Sequence, residues 1–278
     1  MPFAIAVRPG EAPDLAAIDT RSDGDLSKAA GAAALAPLTR ELGDLQELLY
    51  AAGTHSLLLI LQGMDTSGKD GTIRGVLTDV NPIGCRVVGF KVPAAIELAH
   101  DFLWRVHREV PERGAMVVFN RSHYEDVLVT RVNGLVDEPV WRARYAHINA
   151  FERLLVDGGT IVVKAFLHIS AEEQEERLRA REAAPAKAWK LSAGDWVERR
   201  RWDDYRAAYR DALAACSVLD APWWVVPADR KWFRNLAVAE LLVEALRPHR
   251  SAWEEELERR GAHERAAIVA LRDDVHQP

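Results

Sequence analysis

The clearest pattern in the chain is a series of short apolar runs set between longer amphipathic stretches. Residues 56–62, SLLLILQ, form a continuous run, and residues 86–90, 115–119, 160–167 and 223–226 repeat the pattern with β-branched or aromatic side chains. Continuous runs of this length suit strands covered on both faces, as in a parallel sheet. Between them apolar residues recur at helical spacing. From Pro37 they fall at Leu38, Leu42, Leu45, Leu48, Leu49 and Ala52, with Gly53 where a helix should stop; later come Ala95, Leu98, Phe102 and Val106, then Trp141, Tyr145, Ile148 and Leu155. Alternating strand and helix predicts an α/β fold built on a five-stranded parallel sheet flanked by helices.

Ser170 with Glu173 forms a capping box opening the charged stretch AEEQEERLRAREAA, and Ser192 with Asp195 predicts the cap of one long helix reaching about Ala215. The intervening APAKAWKL reads as a mobile connection. Residues 1–36 show no steady period and read as an N-terminal arm laid over the domain. The expected body is then residues 37–250, followed by a C-terminal helical tail at 251–278.

Composition narrows the function classes. A chain of 278 residues, 49% of them hydrophobic, can bury a sizeable core. Its net charge of −6 provides no general attraction for nucleic acid or a membrane surface, so any polyanion must meet a local basic patch. No apolar run reaches the roughly 18 residues of a membrane span, and the N-terminal apolar stretch is too short for a signal peptide, which points to the cytoplasm. Cys85 and Cys216 lack metal-ligand spacing and read as buried thiols in a reducing compartment.

The candidate chemistry begins where SLLLILQ runs into Gly63, Met64, Asp65, Thr66, Ser67, Gly68, Lys69, Asp70, Gly71 and Thr72, with a helical pattern at Ile73, Val76 and Leu77 beyond. Strand, glycine-rich loop and helix in that order are the context of a phosphate-binding P-loop. Gly63 and Gly68 permit the tight path, successive N–H groups and the helix N-terminus face phosphate oxygens, and Lys69 reaches the terminal phosphates. Asp70 stands where a hydroxyl residue normally helps hold magnesium, leaving that duty to Asp65, Thr72 or water. A carboxylate inside a phosphate cradle would repel the ligand, so Asp65 is read as functional, holding metal or orienting the acceptor. A second cluster, Asn120, Arg121, Ser122, His123, Tyr124, Glu125 and Asp126, follows the strand at 115–119. Wound sheets place ligands at such strand ends. Arg121 is a candidate phosphate fork, and Glu125 or Asp126 a candidate for the metal or the acceptor, although an ordinary charged helix start explains the same residues.

These segments, LQGMDTSGKDGTIRGVLTDVNPIGCRV, HDFLWRVHREVPERGAMVVFNRSHYEDVLVTRV, HISAEEQEERLRAREAAPAKAWKLS, RWDDYRAAYRDAL and APWWVVPADRKWFRN, closely resemble the polyphosphate kinase 2 family, in order, over residues 37–247. The resemblance implies a thymidylate-kinase-like P-loop fold and magnesium dependence, with manganese as an alternative. It also implies reversible phosphoryl transfer between inorganic polyphosphate and adenine nucleotides, with guanine nucleotides as a further option, in a homo-oligomer, dimer or tetramer. Asp65 and Lys69 fall on the family's phosphate-loop aspartate and lysine, and Arg121 on its arginine after the third strand. Asn120 departs from the aspartate many members carry, so no metal role is carried to it. HYED in place of a WYNR-like segment resembles the branches that phosphorylate AMP, or AMP and ADP.

Residues 171–192 then take the place of the helical lid that closes over phosphates in such kinases, with Arg181, Lys187 and Lys190 toward its tip. A solvated, salt-bridged helix face is the competing reading of Arg177 and Arg179. A polyphosphate path needs spaced cations; Lys91, Arg131, Arg201, Lys231 and Arg234 are candidates, each also readable as an ordinary surface charge. Trp189, Trp202, Trp223, Trp224 and Trp232 read as core or interface residues, and His123 as packing or hydrogen bonding near the site. Two rival functions share the loop: an ATP-dependent nucleoside monophosphate kinase and a non-catalytic nucleotide-binding regulator.

Overall fold

A computed structural model describes residues 3–184 and 193–275. Lys187, Lys190, Trp189 and Ser192 lie outside the described residues. In chain order the elements are β1 (Ile5–Ala6), α1 (Lys28–Ala52), β2 (Ser56–Gln62), α2 (Lys69–Val76), β3 (Cys85–Gly89), α3 (Ala95–Leu98) and α4 (Trp104–His107). Then come β4 (Met116–Asn120), α5 (Glu125–Val132), α6 (Glu138–Asp157), β5 (Thr160–His168) and α7 (Ala171–Glu182). The remainder is α8 (Ala193–Arg199), α9 (Trp202–Cys216), β6 (Trp223–Pro227), α10 (Lys231–Leu246) and α11 (Arg250–Val275).

All five expected strands form and pair in parallel, in the order β6-β5-β2-β4-β3. The sheet has a sixth strand that the apolar pattern did not announce. β1, two residues long and therefore without a readable period, adds antiparallel to the free edge of β6. Pairing covers an edge that would otherwise expose its backbone groups. Strand β2 is buried at all seven positions, as its uninterrupted apolar run requires, with β4 and β5 on either side of it.

Three helix boundaries differ from the sequence reading. Helix α1 starts at Lys28, capped by Ser27, and runs through Pro37 instead of starting there. The alanine-rich stretch before Pro37 has the strongest helix propensity available, and packing sustains the helix across the missing N–H. Residues 95–107 form two short helices because the Asp101 carboxylate accepts from Leu103 N–H at 2.9 Å and opens a new turn. The long helix expected from Ser192 is divided into α8 and α9. Asp195 is engaged by Arg181 at 2.8 Å, and Arg201, at the break, donates to Val132 O at 2.9 Å and Asn133 Oδ1 at 2.7 Å. Gly53 caps α1 as expected, at φ 62°. Ser170 caps α7, accepting from Glu173 N–H at 3.1 Å, but the other half of the expected capping box does not form, because Ser170 N–H donates to Asp229 Oδ1 at 2.9 Å and Glu173 accepts from Arg177 Nε at 2.8 Å.

Candidate active site

The loop after β2 curls tightly, with Ser67 N–H donating to Met64 O at 3.0 Å. Its glycines are required. A Cβ on Gly63 would stand 2.7 Å from Leu167 O, and one on Gly68, at φ 102°, only 1.9 Å from Arg234 Nη1. Thr66 takes the left-handed region at φ 63° without glycine's freedom. Lys69 folds back across the loop, its Nζ donating to Gly63 O at 2.7 Å and Met64 O at 3.3 Å. Burial first, and the neighbouring Arg121 second, push its pKa down to about 8. Asp70 accepts from Asn120 Nδ2 at 2.8 Å, which joins the loop to the end of β4. The Thr72 hydroxyl donates to Gly68 O at 3.2 Å within its own helix.

Arg121 follows β4 in the left-handed region, at φ 65°. This turn aims its guanidinium at the loop, where Nη2 donates to Asp65 Oδ1 at 2.6 Å; Nη1 lies 3.6 Å from Glu125. Burial opposes the charge on Arg121, but Glu125 and Asp65 outweigh it and hold its pKa above the ordinary value. Burial raises the Glu125 carboxyl above its usual range against the pull of Arg121 and Lys69. Asp65, Arg121 and Glu125 thus converge on one point beside Lys69.

A cleft of about 880 Å³ opens over this point, at the C-terminal ends of β2 and β4. Among the described residues its lining carries eight basic side chains (Lys69, Arg74, Lys91, Arg121, Arg177, Arg181, Lys231 and Arg234) against Asp65, Asp70 and Asp195. A protein of net charge −6 has therefore concentrated positive charge at one place. Arg234 is buried next to Gly68 and Gly71, and burial with nearby Arg177 lowers its pKa to about 10. A narrow recess at the inner end is lined by Asp65, Arg121, Glu125, Glu198, Tyr205 and Tyr209. A second large cavity, about 840 Å³, lies at the other end of the strands between His55, Trp224, Glu240 and His249, and among the described residues no lysine or arginine lines it.

The structure also separates residues that sequence spacing had grouped. Asp126 turns from the cleft toward Arg144 at 3.6 Å and Arg105 at 3.9 Å, and burial raises its pKa to about 6. Arg131 pairs with Asp211 at 2.9 Å and lies over the Trp141 ring, while Arg201 holds the end of α5; neither lines the cleft. Arg177 is not the solvated helix charge of the bland reading but is buried against the loop. Arg74 and the two tyrosines were missed: Arg74 lies on α2 beyond the motif, and the tyrosines reach the site only through the tertiary placement of α9.

The family model for polyphosphate kinase 2 (PPK2) matches residues 25–253. The chain belongs to that family. An AMP/ADP-polyphosphate phosphotransferase of Meiothermus ruber is 55% identical over 219 residues, 79% of this chain and 82% of that protein. An ADP-polyphosphate phosphotransferase of Rhodopseudomonas palustris is 47% identical over 226 residues, 77% of this chain and 78% of that one. The crystal structure of polyphosphate kinase 2 from Arthrobacter aurescens TC1 superposes with a TM-score of 0.83 at 46% identity, covering 86% of this chain and 87% of that chain. The P-loop kinase fold of the PPK2 family is thus the fold of this protein.

Beneath the PPK2 cleft lies a buried polar network. Glu152 accepts from Lys164 Nζ at 2.6 Å, Tyr124 OH at 2.8 Å and His123 Nε2 at 3.2 Å, and Lys164 also donates to Cys216 O at 2.6 Å. Burial lowers the His123 pKa, with the Glu152 hydrogen bond opposing it. His123 is therefore a packing and hydrogen-bonding residue that fixes the start of α5, and with it Glu125.

Proposed function

We propose that this protein transfers a phosphoryl group reversibly between inorganic polyphosphate and adenine nucleotides, accepting AMP and ADP, with magnesium, or manganese in its place. The observation that carries this is a cleft holding eight basic side chains, with the Asp65–Arg121 pair standing beside Lys69. Polyphosphate has about one charge per phosphate and needs such a lining by the electrostatics that governs nucleic-acid backbones. The names of the Meiothermus and Rhodopseudomonas relatives support the polymer and the two acceptors.

A magnesium ion at phosphates needs only one or two carboxylates, with water and phosphate oxygens completing its shell. Asp65, a quarter exposed at the lip of the cleft, fits that need, with Asp70 near it in the first turn of α2. The ion, when bound, neutralises charge on the phosphate oxygens.

In the transfer, a terminal phosphate oxygen of the nucleotide attacks the end phosphorus of the polymer. The new P–O bond forms as the bond to the penultimate phosphate breaks, and the polymer leaves one unit shorter. Protonated Lys69, Arg121 and Arg181 offset the charge spreading over the transferring group, and Asp65 orients the acceptor. The α7 helix supplies Arg181 as the stem of a lid. We place the protein in the cytoplasm as a homo-oligomer, dimer or tetramer; its unpaired thiols Cys85 and Cys216 fit a reducing compartment. Guanine nucleotides are assigned as secondary acceptors.

The test is purified protein with magnesium, long-chain polyphosphate and either AMP or ADP, without ATP, followed by separation of the nucleotides. ADP from AMP and ATP from ADP are expected. Turnover that requires ATP with a nucleoside monophosphate would make this an ordinary nucleotide kinase and overturn the proposal.

A further inference from the structure

A guanidinium has five N–H donors. In Arg177 all five are used inside the protein. Nη1 donates to Thr66 O and Ser67 O, both at 2.9 Å; Nη2 donates to Ala228 O at 2.7 Å and Asp229 O at 2.9 Å; Nε donates to Glu173 Oε1 at 2.8 Å. The side chain is 8% exposed. No donor is left for a phosphate, although Arg177 lies at the wall of the cleft. One turn earlier on the same helix, Gln174 donates from Nε2 to Asp65 O at 3.2 Å. Helix α7 therefore holds three consecutive carbonyls of the loop, those of Asp65, Thr66 and Ser67.

Carbonyls drawn outward leave a loop free to present N–H groups inward, which is what a phosphate cradle needs. The hold falls where the backbone is least at ease, since Thr66 sits at φ 63°, a region a β-branched residue seldom enters. The other end of the clamp is firm. The Asp229 carboxylate accepts from Ser170 N–H and Ser170 Oγ, both at 2.9 Å, and from Thr20 Oγ1 at 2.9 Å. The loop is thus tied through Arg177 to the cap of α7, the start of α10 and the N-terminal arm.

We propose that Arg177, assisted by Gln174, is a positioning residue that sets the shape of the phosphate cradle by fastening its carbonyls to α7, and that it makes no contact with substrate. This rests on the functional reading above, because a cradle matters only if phosphates occupy it. A lysine at 177 has three donors at most and cannot serve four carbonyls and Glu173 together, so charge without the fork is not enough. Leucine at 174 keeps the volume and loses the bond to Asp65 O, together with the one its Oε1 accepts from Arg199 Nη1 at 2.9 Å on the side away from the loop carbonyls.

The experiment measures tripolyphosphate binding by calorimetry with magnesium present, together with kcat, KM and thermal melting, for wild type, Arg177→Lys and Gln174→Leu. Both variants are expected to be folded at the assay temperature. Arg177→Lys should weaken tripolyphosphate binding about tenfold or more and raise the KM for polyphosphate in step, and Gln174→Leu should do the same by about two- to threefold. Affinity within twofold of wild type in folded Arg177→Lys, with only the melting temperature lowered, would overturn the proposal and leave the functional reading intact. If Arg177→Lys does not fold, an unchanged affinity in Gln174→Leu overturns it. Wild type that neither binds tripolyphosphate nor turns over would refute the functional reading itself, and the positioning role with it.

Discussion

Replacing Glu152 by leucine would leave the Lys164 ammonium fully buried with no counter-charge. Both side chains are 0% exposed, and the lysine would keep only Cys216 O at 2.6 Å and the Tyr124 hydroxyl at 3.3 Å. Removing one partner of a buried pair costs about 3–5 kcal/mol, because the remaining ion has neither water nor partner. The hydroxyl of Tyr124 and the ring of His123 lose their acceptor in the same step, which places Glu152→Leu toward the upper end of that range. Against a typical total stability of about 5–15 kcal/mol, this is a large fraction. Urea unfolding followed by tryptophan fluorescence should show a midpoint lowered by roughly 1.5–2.5 M at an m-value of about 2–3 kcal/mol/M. The double variant Glu152→Leu/Lys164→Met removes both charges and should lie within about 2 kcal/mol of wild type, since apolar replacement of a buried pair is often near neutral. A single variant that loses less than about 1 kcal/mol, or a double variant less stable than the single, would refute the reasoning.

Other outcomes follow from the site. Lys69→Ala and Asp65→Asn should each lower turnover at least about a hundredfold, the scale of removing one electrostatic element, with near-normal rates in steady-state assays sinking the assignment. Because Lys69 has its pKa lowered to about 8, kcat/KM for polyphosphate should fall as pH rises through about 8, where the ammonium is lost from the free enzyme; a plateau extending to pH 9.5 would contradict this. The same shift sets the sign for stability. The folded chain holds this proton less tightly than the unfolded chain, so the group's destabilising effect is fully present below about pH 8 and fades as pH rises toward 10.5. Gly68→Ala places a Cβ 1.9 Å from Arg234 Nη1 at φ 102°, and should lower turnover at least tenfold while costing about 1–3 kcal/mol in thermal melting.

The parallel strands and the phosphate loop were legible because their signals are local. A strand buried on both faces is continuously apolar, as SLLLILQ is, and the tight loop needs glycine at 63 and 68. What escaped reading depends on partners distant in sequence. β1 has two residues and exists because β6 offers an edge. The division between α8 and α9 reflects Arg181 engaging Asp195 and Arg201 engaging the end of α5. Within the site, motif spacing located Asp65, Lys69 and Arg121 together. It could not tell Glu125, which faces Arg121, from Asp126, which faces Arg105 and Arg144, because adjacent residues on one helix point to different neighbours. Arg177 illustrates the same limit: a charge in a Glu/Arg run looks solvated until the loop that covers it is in place.

The most direct test of the central claim is a crystal structure of the protein with magnesium, tripolyphosphate and AMP. Phosphate oxygens within hydrogen-bonding distance of the loop N–H groups between Gly63 and Thr72, Lys69 Nζ moved from Gly63 O onto a phosphate, and the AMP phosphate facing Asp65 and Arg121 are the predicted result. A phosphate chain bound elsewhere, such as the cavity beside His55 and His249, with Lys69 still donating to Gly63 O, would contradict it.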